Sequence, residues 1–195
     1  MRKKILNFND RIWKTSKSRM NTADRLKNYD FYSQLLIVYY SLCLIVVTIS
    51  DIYIEKFEAS IPTLILSITI LVISVYIYAM DFGKRAVKVQ NTYVEMQRIL
   101  NKTGKYKDTK NLEEQYYNIL DCSENHNTCD YLKVMYSVRN NGDNDELNGE
   151  FIWDKYIQFY MCKIKDWLLI VILFLLPIFI GLFYKDLYLL VEKII

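Results

Sequence analysis

Ile61-Pro-Thr-Leu-Ile-Leu-Ser-Ile-Thr-Ile-Leu-Val-Ile-Ser-Val-Tyr-Ile-Tyr-Ala-Met80 runs for twenty residues without a charge. As a helix rising 1.5 Å per residue it is about 30 Å long, the thickness of a bilayer's hydrocarbon core. Two more stretches, Leu35–Ser50 and Trp167–Tyr184, are equally free of charge. The first is short by itself, and Phe31, Tyr32, Ser33 and Gln34 supply its headgroup-level turn, so the span begins near residue 34. Tyr32, Tyr39, Tyr53, Tyr76, Tyr78, Trp167 and Tyr184 sit at or near span ends, where amphipathic rings belong. Nearly all of the 25 basic and 22 acidic residues lie outside these spans. A soluble core helix can imitate one such stretch but rarely three. The chain therefore reads as an all-α integral membrane protein: a transmembrane helical hairpin at 31–80, a third C-terminal transmembrane helix at 167–184, and a helical cytoplasmic part.

Charge sets the expected orientation. Nine Lys or Arg and three acids precede the first span, whereas the loop 51–60 has Lys56 against Asp51, Glu55 and Glu58. Lys84, Arg85 and Lys88 follow the second span, and Lys163 and Lys165 precede the third. The positive-inside rule puts the N-terminus and 81–166 in the cytoplasm, and the loop and the tail 185–195 outside. The first apolar run follows about thirty charged residues and has no small-residue cleavage site after it, so the spans are expected to stay in the mature protein.

Residues 1–30 read as a basic amphipathic helix with Ile5, Phe8, Ile12, Trp13, Met20 and Ala23 on one side. It is expected to lie on the inner leaflet or to pack on the cytoplasmic part. Pro62 suits the first turn of the second span. Phe82, Ala86, Val89, Tyr93, Met96 and Leu100 form a heptad-like stripe, so that helix is expected to continue to about Asn101, ending near Gly104. The stripe packs within one chain or forms an oligomer seam. Residues 110–138 read as one or two helices with Leu112, Tyr116, Ile119 and Leu120 on one face, and 139–149 as a mobile loop. A helix resuming near Glu150 leads into the third span.

No enzymatic constellation is present. The five glycines form no phosphate loop, and the single histidine, His126, has no nucleophile beside it, so no catalytic role and no cofactor is expected. Cys122, His126 and Cys129, with distant Cys162, match no common zinc spacing. Thiols are expected buried and free in a reducing cytoplasm, with a hydrogen-bonded histidine beside them and no metal. Within the spans, Ser41 and Thr48 share a face, as do Thr63, Ser67 and Ser74. Such hydroxyls allow close helix packing, or line a wetted path in an oligomer. Asp51, Glu55 and Glu58 would ring the outer mouth of that path, or be an ordinary solvated loop. The third span has no Ser or Thr; Pro177 and Gly181 allow a kink, and it reads as a lipid-facing anchor.

Two segments carry a family resemblance. One is Arg11-Ile-Trp-Lys-Thr-Ser-Lys-Ser-Arg19 with Asn21-Thr-Ala-Asp-Arg-Leu26, then Tyr32-Ser-Gln and Tyr40-Ser41; the other is Glu124-Asn-His-Asn-Thr-Cys-Asp-Tyr131. With the hairpin and its cytoplasmic continuation, they resemble the SLATT family of small bacterial membrane effectors, closest to the branch encoded beside reverse transcriptases. That resemblance implies a protein of the bacterial inner membrane that multimerises or opens on a nucleic-acid or nucleotide signal and halts or kills the infected cell. It implies a homo-oligomer in the lipid bilayer, with a reverse transcriptase and its RNA or cDNA product as partners. It also implies that Arg11, Trp13, Arg19, Arg25, Asn125, His126, Asp130 and Tyr131 shape the surface that receives the signal. For Asn125, His126 and Asp130, a polar cluster at a helix start, local capping is the plainer alternative. The competing reading is a non-conducting anchor that tethers a reverse transcriptase or its nucleic acid.

Overall fold

The computed structural model describes residues 2–53, 60–103, 109–122, 124–141 and 153–183. Every regular element among them is a helix: α1 Arg2–Tyr53, α2 Ser60–Met80, α3 Phe82–Thr103, α4 Thr109–Asp121, α5 Thr128–Asn141 and α6 Trp153–Leu182. Three helical stretches are long and apolar enough to cross a membrane, Phe8–Tyr53, Ser60–Thr103 and Trp153–Leu182.

The basic N-terminal helix and the first span are one element. Residues 2–53 contain neither Gly nor Pro, so nothing interrupts the ladder over 52 residues, about 78 Å. The expected continuation of the second span is interrupted once. Asp81 takes a left-handed backbone (φ 43°), which Asp tolerates better than a branched residue would, and its N–H still reaches the Ile77 carbonyl at 3.1 Å. The helix resumes at Phe82 and runs to Thr103. The tip residues 54–59, Gly104, the segment 142–152, which holds most of the expected mobile loop, and the tail 184–195 lie outside the described residues.

The chain divides into two compact units. Unit 1 comprises Met1–Asn28 and Phe82–Ile164. Here Phe8 and Ile12 of α1 pack with Met96 and Ile99 of α3 and Leu112 and Tyr116 of α4. Ala23 and Leu26 pack on Ala86 and Val89, flanked by Phe82. Leu132, Val134, Met135 and Val138 of α5 are covered by Trp13 and by Tyr156 and Phe159 of α6. The α3 stripe is thus consumed inside the chain. Ala86, Val89 and Met96 are buried, and only Phe82, Tyr93 and Leu100 are half-buried, which corrects the oligomer-seam alternative. The reason is α1 itself: its apolar side at Phe8, Ile12 and Ala23 supplies the partner, and a face packed within a chain is not available to a second copy.

Unit 2 comprises Tyr29–Asp81 and Lys165–Ile195 and gathers the three charge-free stretches. Leu36 and Tyr40 of α1, Leu66 of α2 and Ile180 of α6 form its centre, with Leu173, Phe174 and Leu176 packed against them. The third span is therefore more than a lipid-facing anchor. One side, with Pro177 and Ile180, is buried, while Val171, Ile172, Leu175, Ile178, Phe179 and Leu182 stay exposed. The cause is at Pro177. Proline has no N–H, so the carbonyl four residues earlier, Leu173, loses its helical donor. The fully buried Tyr40 hydroxyl donates to that oxygen at 2.9 Å. In hydrocarbon no water is present to do this, so span one supplies the donor that span three lacks.

Candidate functional site

Residues of the two sequence segments that carry the family resemblance, Asn21, Thr22 and Arg25 in the first and Asp130 in the second, meet in unit 1 although more than a hundred positions apart. Asp130, at the third position of α5, is buried and accepts four hydrogen bonds. Thr22 Oγ1 donates to its Oδ2 at 2.8 Å, Arg25 Nε to Oδ1 at 3.1 Å, and Arg25 Nη2 to Oδ2 at 2.9 Å. The fourth is the Asn127 backbone N–H, at 3.2 Å. Asn21 Nδ2 also donates to the Asp130 carbonyl at 3.1 Å. Asn21, Thr22 and Arg25 of α1 thus grip the first turn of α5.

Local chemistry explains why α5 starts where it does. Asn127 precedes the helix, and its side chain accepts from the Thr128 N–H at 2.8 Å while its carbonyl accepts from Asp130 and Tyr131. The carboxylate three positions on reaches back to the Asn127 N–H, which is half of a capping box. A negative charge in the first helical turn also suits the positive end of the helix dipole. Asp130 therefore caps α5 and binds α1 with the same two oxygens.

Arg19 works at the opposite kind of helix end. Its side chain is 1% exposed, and Nη1 and Nη2 donate to the Ile119 and Leu120 carbonyls at 3.2 and 2.9 Å. Both carbonyls belong to the last turn of α4, where a cation is favoured; that of Ile119 also accepts from the Cys122 N–H at 3.3 Å. Burial lowers the Arg19 pKa from its ordinary value, opposed by Tyr116 and Cys122. The guanidinium stays charged at any physiological pH. His126 lies between these two clamps. Burial pushes its imidazole pKa down, nearby Arg19 adds to that, and Asp130 opposes it. Its Nδ1 is buried without a hydrogen-bond partner among the described residues. Its ring stands 6.1 Å from that of Tyr131. Asn125 stays exposed and its side chain accepts from the His126 N–H at 2.9 Å.

The remaining expected residues take other places. The Arg11 guanidinium sits 5.3–5.6 Å from the ring centres of Phe8, Tyr116 and Tyr117, a cation on three aromatic faces. Trp13 covers α5. Arg85 and Glu124 form a bidentate ion pair between α3 and the segment before α5. Among the described N-terminal basic residues, Arg11, Arg19 and Arg25 are therefore engaged inside unit 1, and Lys17 lies 6.0 Å from the centre of the Trp13 ring. An open cleft of about 370 Å³ lies between α3 and α4, lined among others by Glu95, Arg98, Lys102, Gln115, Asn118 and Cys122.

The cysteines depart from expectation. Cys129 and Cys162 form a disulfide joining α5 to α6, with their Cα atoms 6.0 Å apart. Compartment redox argued for free thiols, but the packing of Phe159 and Tyr156 on α5 brings the two side chains together. Cys43 and Cys122 are free. No group of three potential metal ligands occurs among the described residues.

In unit 2 the hydroxyl residues bond to their own helices. Ser41, Thr48, Ser67 and Ser74 donate to the carbonyls of Ile37, Leu44, Leu64 and Ile70 at 2.7–2.9 Å. Ser67 and Thr48 are exposed, and Ser41, Thr63 and Ser74 half-buried. None of these bonds crosses between helices. Instead, α1 is joined to α6 by Tyr40 at the Leu173 carbonyl, a role for which patterning alone did not single it out. At the edge of the span the Tyr29 hydroxyl makes a second tie, donating to Asp166 Oδ1 at 3.0 Å. Asp51 is exposed at the end of α1; Glu55 and Glu58 lie outside the described residues.

A family model described as SMODS and SLOG-associating 2TM effector domain family 5 matches residues 1–183, a range that includes both clamps and all three apolar helices. The match does not identify a reverse-transcriptase branch. No curated protein and no solved structure matches the chain.

Proposed function

Since the chain belongs to the SMODS and SLOG-associating 2TM effector domain family 5, we propose that it is a bacterial antiphage effector that perturbs the cell membrane as an assembly of copies. The observation that carries this reading is the contrast between the units. Unit 1 is tied by buried polar clamps at both Arg19 and Asp130, whereas unit 2 exposes much of its apolar surface and bonds its Ser and Thr hydroxyls only within their own helices. Surface of that kind is covered by lipid in one state and by other copies in another. A nucleic-acid or nucleotide signal would act on unit 1, where Arg98 and Lys102 of the α3–α4 cleft offer two cations to a phosphate-bearing molecule. The same reading puts unit 1 in the cytoplasm, following the basic flanks.

The test is to express the chain in bacteria beside its genetic neighbours, infect with phage and follow membrane potential with a voltage-sensitive dye, in parallel with Ser67→Leu, Ser74→Leu at matched membrane abundance. Rapid depolarisation by the native chain alone is the expected result, because Ser67 is on the exposed face of α2. Equal depolarisation by both would remove this face from the conducting path. Protection against phage with the potential held would favour the anchored tether for a reverse transcriptase or its nucleic acid.

A further inference from the structure

The part of α6 that precedes the third span has an apolar face that the described residues leave largely uncovered, apart from a side-chain hydrogen bond between Tyr160 and Tyr136 of α5. Trp153, Ile157, Tyr160 and Ile164 are 83, 57, 50 and 60% exposed. Their spacing is four, three and four residues, a heptad seam, and the same steps continue along the helix to Trp167 and Val171, also exposed. Met161 widens the strip. The opposite face is occupied: Tyr156 and Phe159 pack on α5, and Cys162, about 180° around the helix from Trp153, is bonded to Cys129. Tyr160 leans on the Phe159 ring yet remains half exposed. The disulfide therefore fixes which side of α6 looks outward.

Lipid does not account for this face between residues 153 and 164. Asp154, Lys155 and Lys163 lie on the same turns, and such charges keep that half of the helix out of the hydrocarbon. We propose that this seam is the contact with a second copy of the same chain, formed by α6 packing in parallel on its counterpart. Three observations select that occupant. A strict 3.5-residue repeat suits a helix that meets an equal helix along its length, rather than a globular groove. The seam carries no charge, so a two-fold pair meets no like-charge repulsion across it. Copies inserted in one membrane present α6 in the same direction, which puts Ile157 opposite Ile157 and Ile164 opposite Ile164. The exposed parts of five large side chains amount to roughly 500 Å² per copy, or about 1,000 Å² for the pair, the lower limit for a specific interface. The pair does not depend on the effector reading, which needs assembly but does not say through which surface.

The experiment uses the full chain in native membranes, with the free Cys43 and Cys122 replaced by serine and the Cys129–Cys162 bond kept. Single cysteines are placed at Ile157→Cys and Ile164→Cys on the seam, and at Lys155→Cys and Gln158→Cys off it, followed by mild oxidation. A band at twice the chain's mass from both seam positions, and from neither control, is expected. Cross-links of equal yield at all four positions, or none on the seam with the chain present in the membrane, would overturn the contact. As a second measurement, Ile157→Glu, Ile164→Glu in the native-cysteine chain should lower the mass of the complex extracted in mild detergent; unchanged mass would also overturn it. Seam cross-links without depolarisation would support the pair while removing the effector reading.

Discussion

Replacing Tyr40 by Phe removes one oxygen atom, and the consequence depends on a proline 137 positions further along the chain. The Leu173 carbonyl lacks its usual helical donor because residue 177 is Pro, and among the described residues Tyr40 supplies one, at 2.9 Å. Interhelical hydrogen bonds within bilayers average about 0.6 kcal/mol and reach about 1.7. A carbonyl left unsatisfied where water is absent adds to that, so Tyr40→Phe is expected to cost about 1–2 kcal/mol. The assay is unfolding of the purified full chain in mixed micelles by titrated denaturing detergent. The cycle is completed with Pro177→Ala, which gives Leu173 a donor from its own helix. In that background Tyr40→Phe should cost about 1 kcal/mol less, a coupling large enough to resolve. An equal loss in both backgrounds, or none in either, would refute the claim that span one satisfies span three.

Three further outcomes are expected from unit 1. Asp130→Ala strips acceptors from Thr22, Arg25 and the Asn127 N–H together, and should cost about 2–4 kcal/mol in a thermal melt, more than Arg25→Ala, whose side chain is partly exposed. His126 has its pKa lowered on folding, so the unfolded chain binds the proton more readily; the packed state is favoured fully above the ordinary imidazole value of about 6.5 and loses that contribution as pH falls below it. Melts between neutral and mildly acidic pH should show this decline in the native chain, and a smaller one in His126→Gln. The Cys129–Cys162 bond closes a separation of 33 residues, worth about 3–4 kcal/mol by chain entropy, so reduction should lower the melting temperature of the native chain but not of Cys129→Ser, Cys162→Ser.

What the sequence made legible, and what it hid, follows from range. The charge-free stretches and the α4 face at Leu112, Tyr116, Ile119 and Leu120 are local patterns, and both were readable along the chain. The unbroken α1 was readable too, in the absence of Gly and Pro from residues 2–53, but the change from basic to apolar composition near residue 30 suggested a boundary that the backbone ignores. The clamps were half visible. Asn127 with Asp130 three residues on is a capping signature, but nothing local shows that Thr22 and Arg25 will converge on the same carboxylate. Tyr40 was hidden more completely, since many tyrosines in this chain mark span ends, and its role exists only once Pro177 faces it. The α3 stripe was seen correctly as an apolar seam; whether its partner is in the same chain or in another is a tertiary fact that periodicity does not contain.

The most direct measurement records phage protection and membrane potential in the same infected culture, with the chain expressed beside its genetic neighbours. The account expects the potential to collapse after infection and before lysis, in cells that protect the population. Full protection with the potential held throughout would contradict it.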